Sequence, residues 1–183
     1  MTPINDQRHP TTPHTEEQER IAQTQHALGL HAPDPELDAF ATRLALATGI
    51  PNVYAMVNPF TTTEQQFVGL HIPDNGDLPT VGRSMPLDHG FCPEVVDRGR
   101  PLVLPDVFAS PRFAGNPVVD QIGIRTYAGA PLIHEGTVLG TVCFVGLEEQ
   151  PQSTGQASLA LIKQHRDEVM AFLYRRAGYQ PPQ

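Results

Sequence analysis

The chain is expected to fold as an α+β domain, with a central antiparallel sheet whose one face is covered by N- and C-terminal helices. Three observations predict this. Apolar residues recur at helical spacing only near the two ends, around Leu37–Leu44 and again around Leu159–Leu173. The middle of the chain instead carries strand-type runs, Asn52 to Val57 and Thr137 to Leu147 among them. Glycine (15) and proline (19) are abundant for 183 residues, which excludes a long coiled coil or helical bundle, because both weaken element interiors. They favour short strands, tight turns and long surface loops, and on the open face of the sheet such loops can enclose a pocket for a small molecule.

The elements follow in order. Residues 1–14 are polar and rich in Pro and Thr and read as a disordered leader. A first helix runs from Thr15, with Gln18 three residues on as in a capping box, to Gly29. Its apolar content is thin (Ile21, Ala22, Leu28), so it needs a partner surface. The second helix has Asp34 as cap, Pro35 at its first position, a stripe of Leu37, Phe40, Ala41, Leu44 and Thr48, and Gly49 as its stop. Strands follow at 52–57 and 64–72, joined by a turn at 59–63, then a loop at 73–82. A short helix is expected at 88–96, a short strand at 101–104, and a long connection at 105–123. Ile124–His134 and Thr137–Leu147 form a hairpin about Glu135–Gly136. The last helix starts near Ser153, with Gln156 as its reciprocal cap, and residues 177–183 are a loose tail. The single domain therefore spans 15–176.

Composition narrows function. The net charge of −8 argues against a basic grip on nucleic acid or an anionic membrane. No apolar run reaches the ~20 residues of a membrane span. The first twenty residues lack the apolar stretch of a signal peptide. Cys92 and Cys143, far apart and in no CxxC pair, are too few for a disulfide scaffold or a structural zinc site. These features describe a soluble, reduced, cytoplasmic protein.

Side-chain alternation in the strand after residue 124 places Thr126, Ala128 and Ala130 on one face and Arg125, Tyr127 and Gly129 on the other. The small residues suit close helix packing. The opposite face presents an Arg and a Tyr beneath the long connection. Arg125 has two readings: an ion pair to Asp106 or Asp120 that pins the connection, or a bidentate anchor for an anionic or carbonyl ligand. Cys92, near a helix N-terminus with His89 three residues before it, is either a structural pocket residue or a thiol of lowered pKa. Cys143, mid-strand, is most simply a small buried apolar residue.

Pro105-Asp106, Ser110-Pro111-Arg112-Phe113, Asn116-Pro117-Val118-Val119, the run Ile124 to Leu132, and Gly140-Thr141-Val142-Cys143 together resemble the signature of bacterial GAF domains. Gly90-Phe91-Cys92 and Pro101-Leu102-Val103 fit as well, and the resemblance covers roughly residues 30–175. It implies a stand-alone, PAS-related sensory module with a small-molecule pocket on the loop-covered face, related by fold and use to signal transduction. It singles out no cofactor. The residue set of cyclic-nucleotide-binding members is not found here. Bilin-binding members attach the chromophore through a Cys usually followed by His, whereas Pro93 and Phe144 follow the two cysteines. Haem would need a placed His, for which His89 and His134 are the nearest candidates. Free methionine-(R)-sulfoxide reductase, an enzyme of the superfamily, relies on a Cys in the loop that here reads Phe113-Ala114-Gly115-Asn116.

The function expected is a non-catalytic sensory domain that binds an unidentified small molecule through Phe91, Cys92, Phe113, Arg125 and Tyr127. It signals by contact with a partner protein and forms a homodimer through the terminal helices. A thiol-dependent redox enzyme or redox sensor using Cys92, and an interaction module without ligand, are the alternatives.

Overall fold

A computed structural model describes residues 13–180. The first helix, α1 (Pro13–Ala27), begins two residues earlier than expected, and most of the expected leader lies outside the described residues. Its polar composition leaves few side chains buried, and it is fastened by Gln25, whose Nε2 donates to Leu139 O (2.7 Å) and Phe60 O (2.9 Å). α2 (Pro35–Ala47) forms as its signals predict: the Asp34 side chain accepts from Glu36 N at 2.8 Å, and Leu37, Ala41, Leu44 and Ala45 turn inward.

The main sheet has the order β3-β1-β7-β6-β5, every pairing antiparallel. Its strands are β1 (Tyr54–Pro59), β3 (Gly69–His71), β5 (Leu102–Leu104), β6 (Thr126–His134) and β7 (Thr137–Gly146). The β6–β7 hairpin turns on Glu135 (φ 47°) and Gly136 (φ 81°), so both loop residues take the positive φ that a two-residue turn of this hand demands. Three expectations are corrected here. The single strand at 64–72 is two: β2 (Glu64–Gln66) leaves the main sheet to pair with β4 (Ser84–Pro86), while β3 stays on β1. The connection at 105–123 holds a 3₁₀ turn (Val107–Ala109) and two short helices, α4 (Pro111–Ala114) and α5 (Pro117–Ile122), each with proline at its start. The short helix before it, α3, runs Cys92–Arg98 rather than 88–96.

The sheet divides two cores. On one side α2 and α6 (Gly155–Ala177) cover Ala128, Ala130, Leu132, Val142 and Phe144, with Leu37, Leu44, Ile162, Val169 and Leu173 facing them. The alternation along β6 is the reason: Ala128 and Ala130 face the helices, while Tyr127 faces away. The expected Ser153–Gln156 cap is not made; a 3₁₀ turn at 152–154 leads into α6 without a side-chain cap. On the other side α3, α5 and the loops enclose Tyr54, Met56, Phe67, Phe91, Cys92, Val118, Tyr127 and Cys143. The segment after α6 is not loose where described. Gly178 (φ 67°) ends the helix, Tyr179 Oη donates to Glu135 Oε1 at 2.7 Å, and its ring packs on Tyr174 and His134.

Candidate functional site

Beneath the centre of the sheet lies a narrow, partly enclosed chamber with about 40 Å³ of free space, room for a few water molecules. β1, β6 and β7 form its ceiling through Tyr54, Met56, Tyr127, Cys143 and Val145. Phe91 and Cys92 come from the start of α3, Val118 and Ile122 from α5, and Val81 and Met85 from the segment around β4. No charged side chain lines it among the described residues. The wall is apolar except at one end.

That end is a buried polar knot. Asn58, on β1 and 1% exposed, donates from Nδ2 to Gln65 Oε1 (3.2 Å) and accepts at Oδ1 from Thr141 Oγ1 (2.5 Å). Gln65 Nε2 donates onward to Pro86 O (2.9 Å) and His89 O (2.7 Å), which ties β2 and the turn before α3 to the sheet. Asn116 clamps the same turn from α5. Its Oδ1 accepts from Gly90 N (3.0 Å) and Val118 N (3.3 Å), and its Nδ2 donates to Gly90 O (2.7 Å). One residue therefore caps a helix and fixes the approach to Cys92.

The thiol of Cys92 faces the sheet. Its Sγ lies 3.4 Å from Cys143 Sγ and 3.3 Å from Tyr127 Oη, with Asn58 Oδ1 at 4.0 Å. Both cysteines are free and buried. The hydrogen bond with Cys143 is the main cause that brings the Cys92 thiol down to about 7; Thr141, Tyr127 and Asn58 add to it, against the opposing effect of burial. The same partnership, with burial, pushes the Cys143 thiol well up, and burial does the same for the Tyr127 phenol, which therefore stays a donor. The expected role of His89 is not what the structure shows: its Nδ1 pairs with Asp88 at 2.8 Å, and the partners of Cys92 come from the strands.

Of the five residues expected to bind a ligand, Phe91, Cys92 and Tyr127 line the chamber. Phe113 does not; it packs edge-on behind Phe91, ring centroids 5.9 Å apart. Arg125 is outside as well. It pairs with Asp106 (3.4 Å) and Glu149 (2.5 Å) and lies over the Phe108 ring at 4.7 Å, which is the loop-pinning reading and not the ligand-anchor one. Arg125→Ala is expected to lower stability by about 1 kcal/mol, since the pairs are partly solvated, and to leave the chamber intact. Thermal unfolding beside the near-ultraviolet circular dichroism of the buried tyrosines checks both halves. Asn58, Gln65, Asn116 and Cys143 are site residues that sequence reasoning passed over.

The model of the GAF domain family matches residues 32–170, and the chain belongs to that family. Among curated proteins none matches it. Similar solved structures include the A. Aeolicus nlh2 GAF domain in an inactive state, 14% identical with a TM-score of 0.57 over 88% of this chain and 98% of that one. The GAF domain of an Acinetobacter phosphoenolpyruvate-protein phosphotransferase is 15% identical with a TM-score of 0.55, covering 92% and 98%. The free methionine-R-sulfoxide reductase of Neisseria meningitidis, in complex with its substrate, is 16% identical with a TM-score of 0.53, covering 87% and 86%. At these identities the likeness is one of fold. The class is a sensory, ligand-binding fold family, and no helix among the described residues is long and apolar enough to cross a membrane.

Proposed function

We propose that this GAF domain is a non-catalytic sensor whose chamber receives a small, largely apolar molecule with one polar group. The single observation that carries the reading is the chamber itself, apolar along its wall and polar at the Asn58–Gln65–Tyr127 end. An apolar body would displace water from the wall, and a carbonyl or hydroxyl would find hydrogen-bond partners at the far end. The present space is small, so the ligand enters as the segment bearing Val81 and Met85 moves outward. That segment is joined to the rest mainly through the short β2–β4 ribbon and Arg83, which pairs with Asp38 at 2.8 Å. Ligand-dependent movement there changes the surface a partner protein meets.

The terminal helices supply a second contact surface. α1 exposes most of its length, and a homodimer formed through α1 and α6 explains why so polar a helix persists. Sedimentation velocity is expected to give a dimer; a monomer at tens of micromolar overturns this part. The protein works inside the cell, where two free thiols stay reduced in the resting state.

A thermal-shift screen of small apolar alcohols, ketones and aromatics against wild type and Val118→Trp tests the ligand reading. Compounds that raise the wild-type melting temperature and do nothing to the filled variant support it. A library that shifts neither protein, or shifts both equally, overturns it.

A further inference from the structure

We propose that Cys92 and Cys143 form a hydroperoxide-oxidised dithiol site in which Cys92 is the attacking sulfur and Cys143 the resolving one. This goes beyond the ligand reading and does not depend on it. Three observations bring it forward. The two sulfurs already touch, at 3.4 Å, although the residues come from α3 and the central strand β7, 51 positions apart. The Tyr127 hydroxyl and the Asn58 amide oxygen both reach Cys92 Sγ, and Thr141 Oγ1 donates to that amide oxygen and holds it in place. The pair opens onto the chamber, whose free space admits a molecule of hydrogen peroxide's size and little more. A single thiol in such a core would be inert packing, whereas two in contact have a reaction open to them that neither has alone.

The chemistry balances with a hydroperoxide as the oxidant. Cys92 reacts as its thiolate, after its proton has passed to solvent. Its sulfur attacks the distal peroxide oxygen, the O–O bond breaks, and the departing oxygen takes up a proton to leave as water (from hydrogen peroxide) or an alcohol. Cys92 is then a sulfenic acid. Cys143 Sγ attacks that sulfur, the S–O bond breaks, and its thiol proton leaves with the hydroxide as a second water. Two thiols have lost two electrons and two protons, and the peroxide has gained them. The groups facing Cys92 assist the first step: Cys143 and Thr141 on β7, Tyr127 on β6 and Asn58 on β1 all favour its charged form, and no charged side chain lines the chamber to oppose it. Closure asks the sulfurs to approach from 3.4 Å to about 2.05 Å, which draws the start of α3, with Phe91, toward the sheet.

The test uses the full chain, reduced, freed of reductant and exposed to excess hydrogen peroxide. The products are unfolded in alkylating buffer and mass-mapped. The expected product has lost two hydrogens, has no alkylatable thiol, yields a linked peptide joining Cys92 to Cys143, and is restored by dithiothreitol. Its rate of formation rises through a midpoint near pH 7 and flattens above about pH 8, whereas an ordinary thiol would keep accelerating. Cys143→Ser is expected to stop at a dimedone-trapped sulfenic acid on Cys92. Two thiols that survive in the folded protein, while the urea-unfolded chain is oxidised, overturn the proposal. So does a wild type that accumulates the Cys92 sulfenic acid or an intermolecular disulfide without the linked peptide. Either result leaves the thermal-shift test of ligand binding untouched.

Discussion

Asn58→Ala is expected to destabilise the protein by about 3 kcal/mol, because the amide is the hub of a buried hydrogen-bonded knot. Truncation removes the acceptor of Thr141 Oγ1 and the donor to Gln65 Oε1 in one step. It also leaves a hole beside Cys92. An unsatisfied buried polar group costs on the order of 1–3 kcal/mol, and two are left behind. For a chain of this length each kcal/mol lowers the melting temperature by roughly 2–4 °C, so a drop of about 10 °C is expected. Asn58→Leu separates the causes, since it restores volume without the bonds. Equal losses in the two variants assign the effect to hydrogen bonding; a leucine variant as stable as wild type would show the knot to be dispensable.

Gly140→Ala is expected to cost about as much for a different reason. Gly140 pairs with Pro59 across the β1–β7 ladder, and a methyl group there runs into Asn58 O and Pro59 Cα. These are backbone atoms, so no rotamer change relieves the clash, and the two strands must part at the polar end of the chamber. Overpacking of this kind costs about 3 kcal/mol at the upper end of its usual range. Gly76→Ala is the control: nothing lies within 4 Å of its added carbon, and a change within about 0.5 kcal/mol is expected. Urea unfolding of the two variants side by side decides it. Similar midpoints would mean that β1 and β7 are less tightly apposed than the pairing implies.

Much of the fold was legible because local signals and long-range packing agree. The Asp34-Pro35 cap, the Glu135–Gly136 turn and the alternation of Tyr127 against Ala128 and Ala130 each carry a physical requirement that a sequence displays. The strand at 64–72 shows where that ends. Phe67 and Val68 are both buried, but in opposite cores, so the alternation runs straight through the point where the chain changes sheets. Nothing local marks the exchange of partners. The helices α4 and α5 are too short to show a period, although Ser110-Pro111 and Asn116-Pro117 did carry the signature of helix starts.

The site was half legible for similar reasons. Alternation correctly turned Tyr127 toward the loops, and Arg125 does meet the connection it was expected to lie beneath, but at Asp106 and Phe108 rather than at the chamber wall, a difference that alternation alone does not show. Cys143 was readable as a buried strand residue. That its sulfur meets Cys92 depends on how Asn116 and Gln65 hold the turn before α3, which is a tertiary fact. Asn58 and Gln65 offered one usable signal: each is a polar residue at an inward position of a strand, and such a residue needs a buried partner.

Native mass spectrometry of the freshly purified protein reads out whether the chamber beneath the sheet is a receptor site. Wild type is expected to carry a non-covalent adduct of small-molecule mass that co-purifies with it or is taken up from the compounds that shift its melting, and Val118→Trp to carry none. Wild type that carries no adduct under any of these conditions, or a filled variant that carries the same one, would contradict that role.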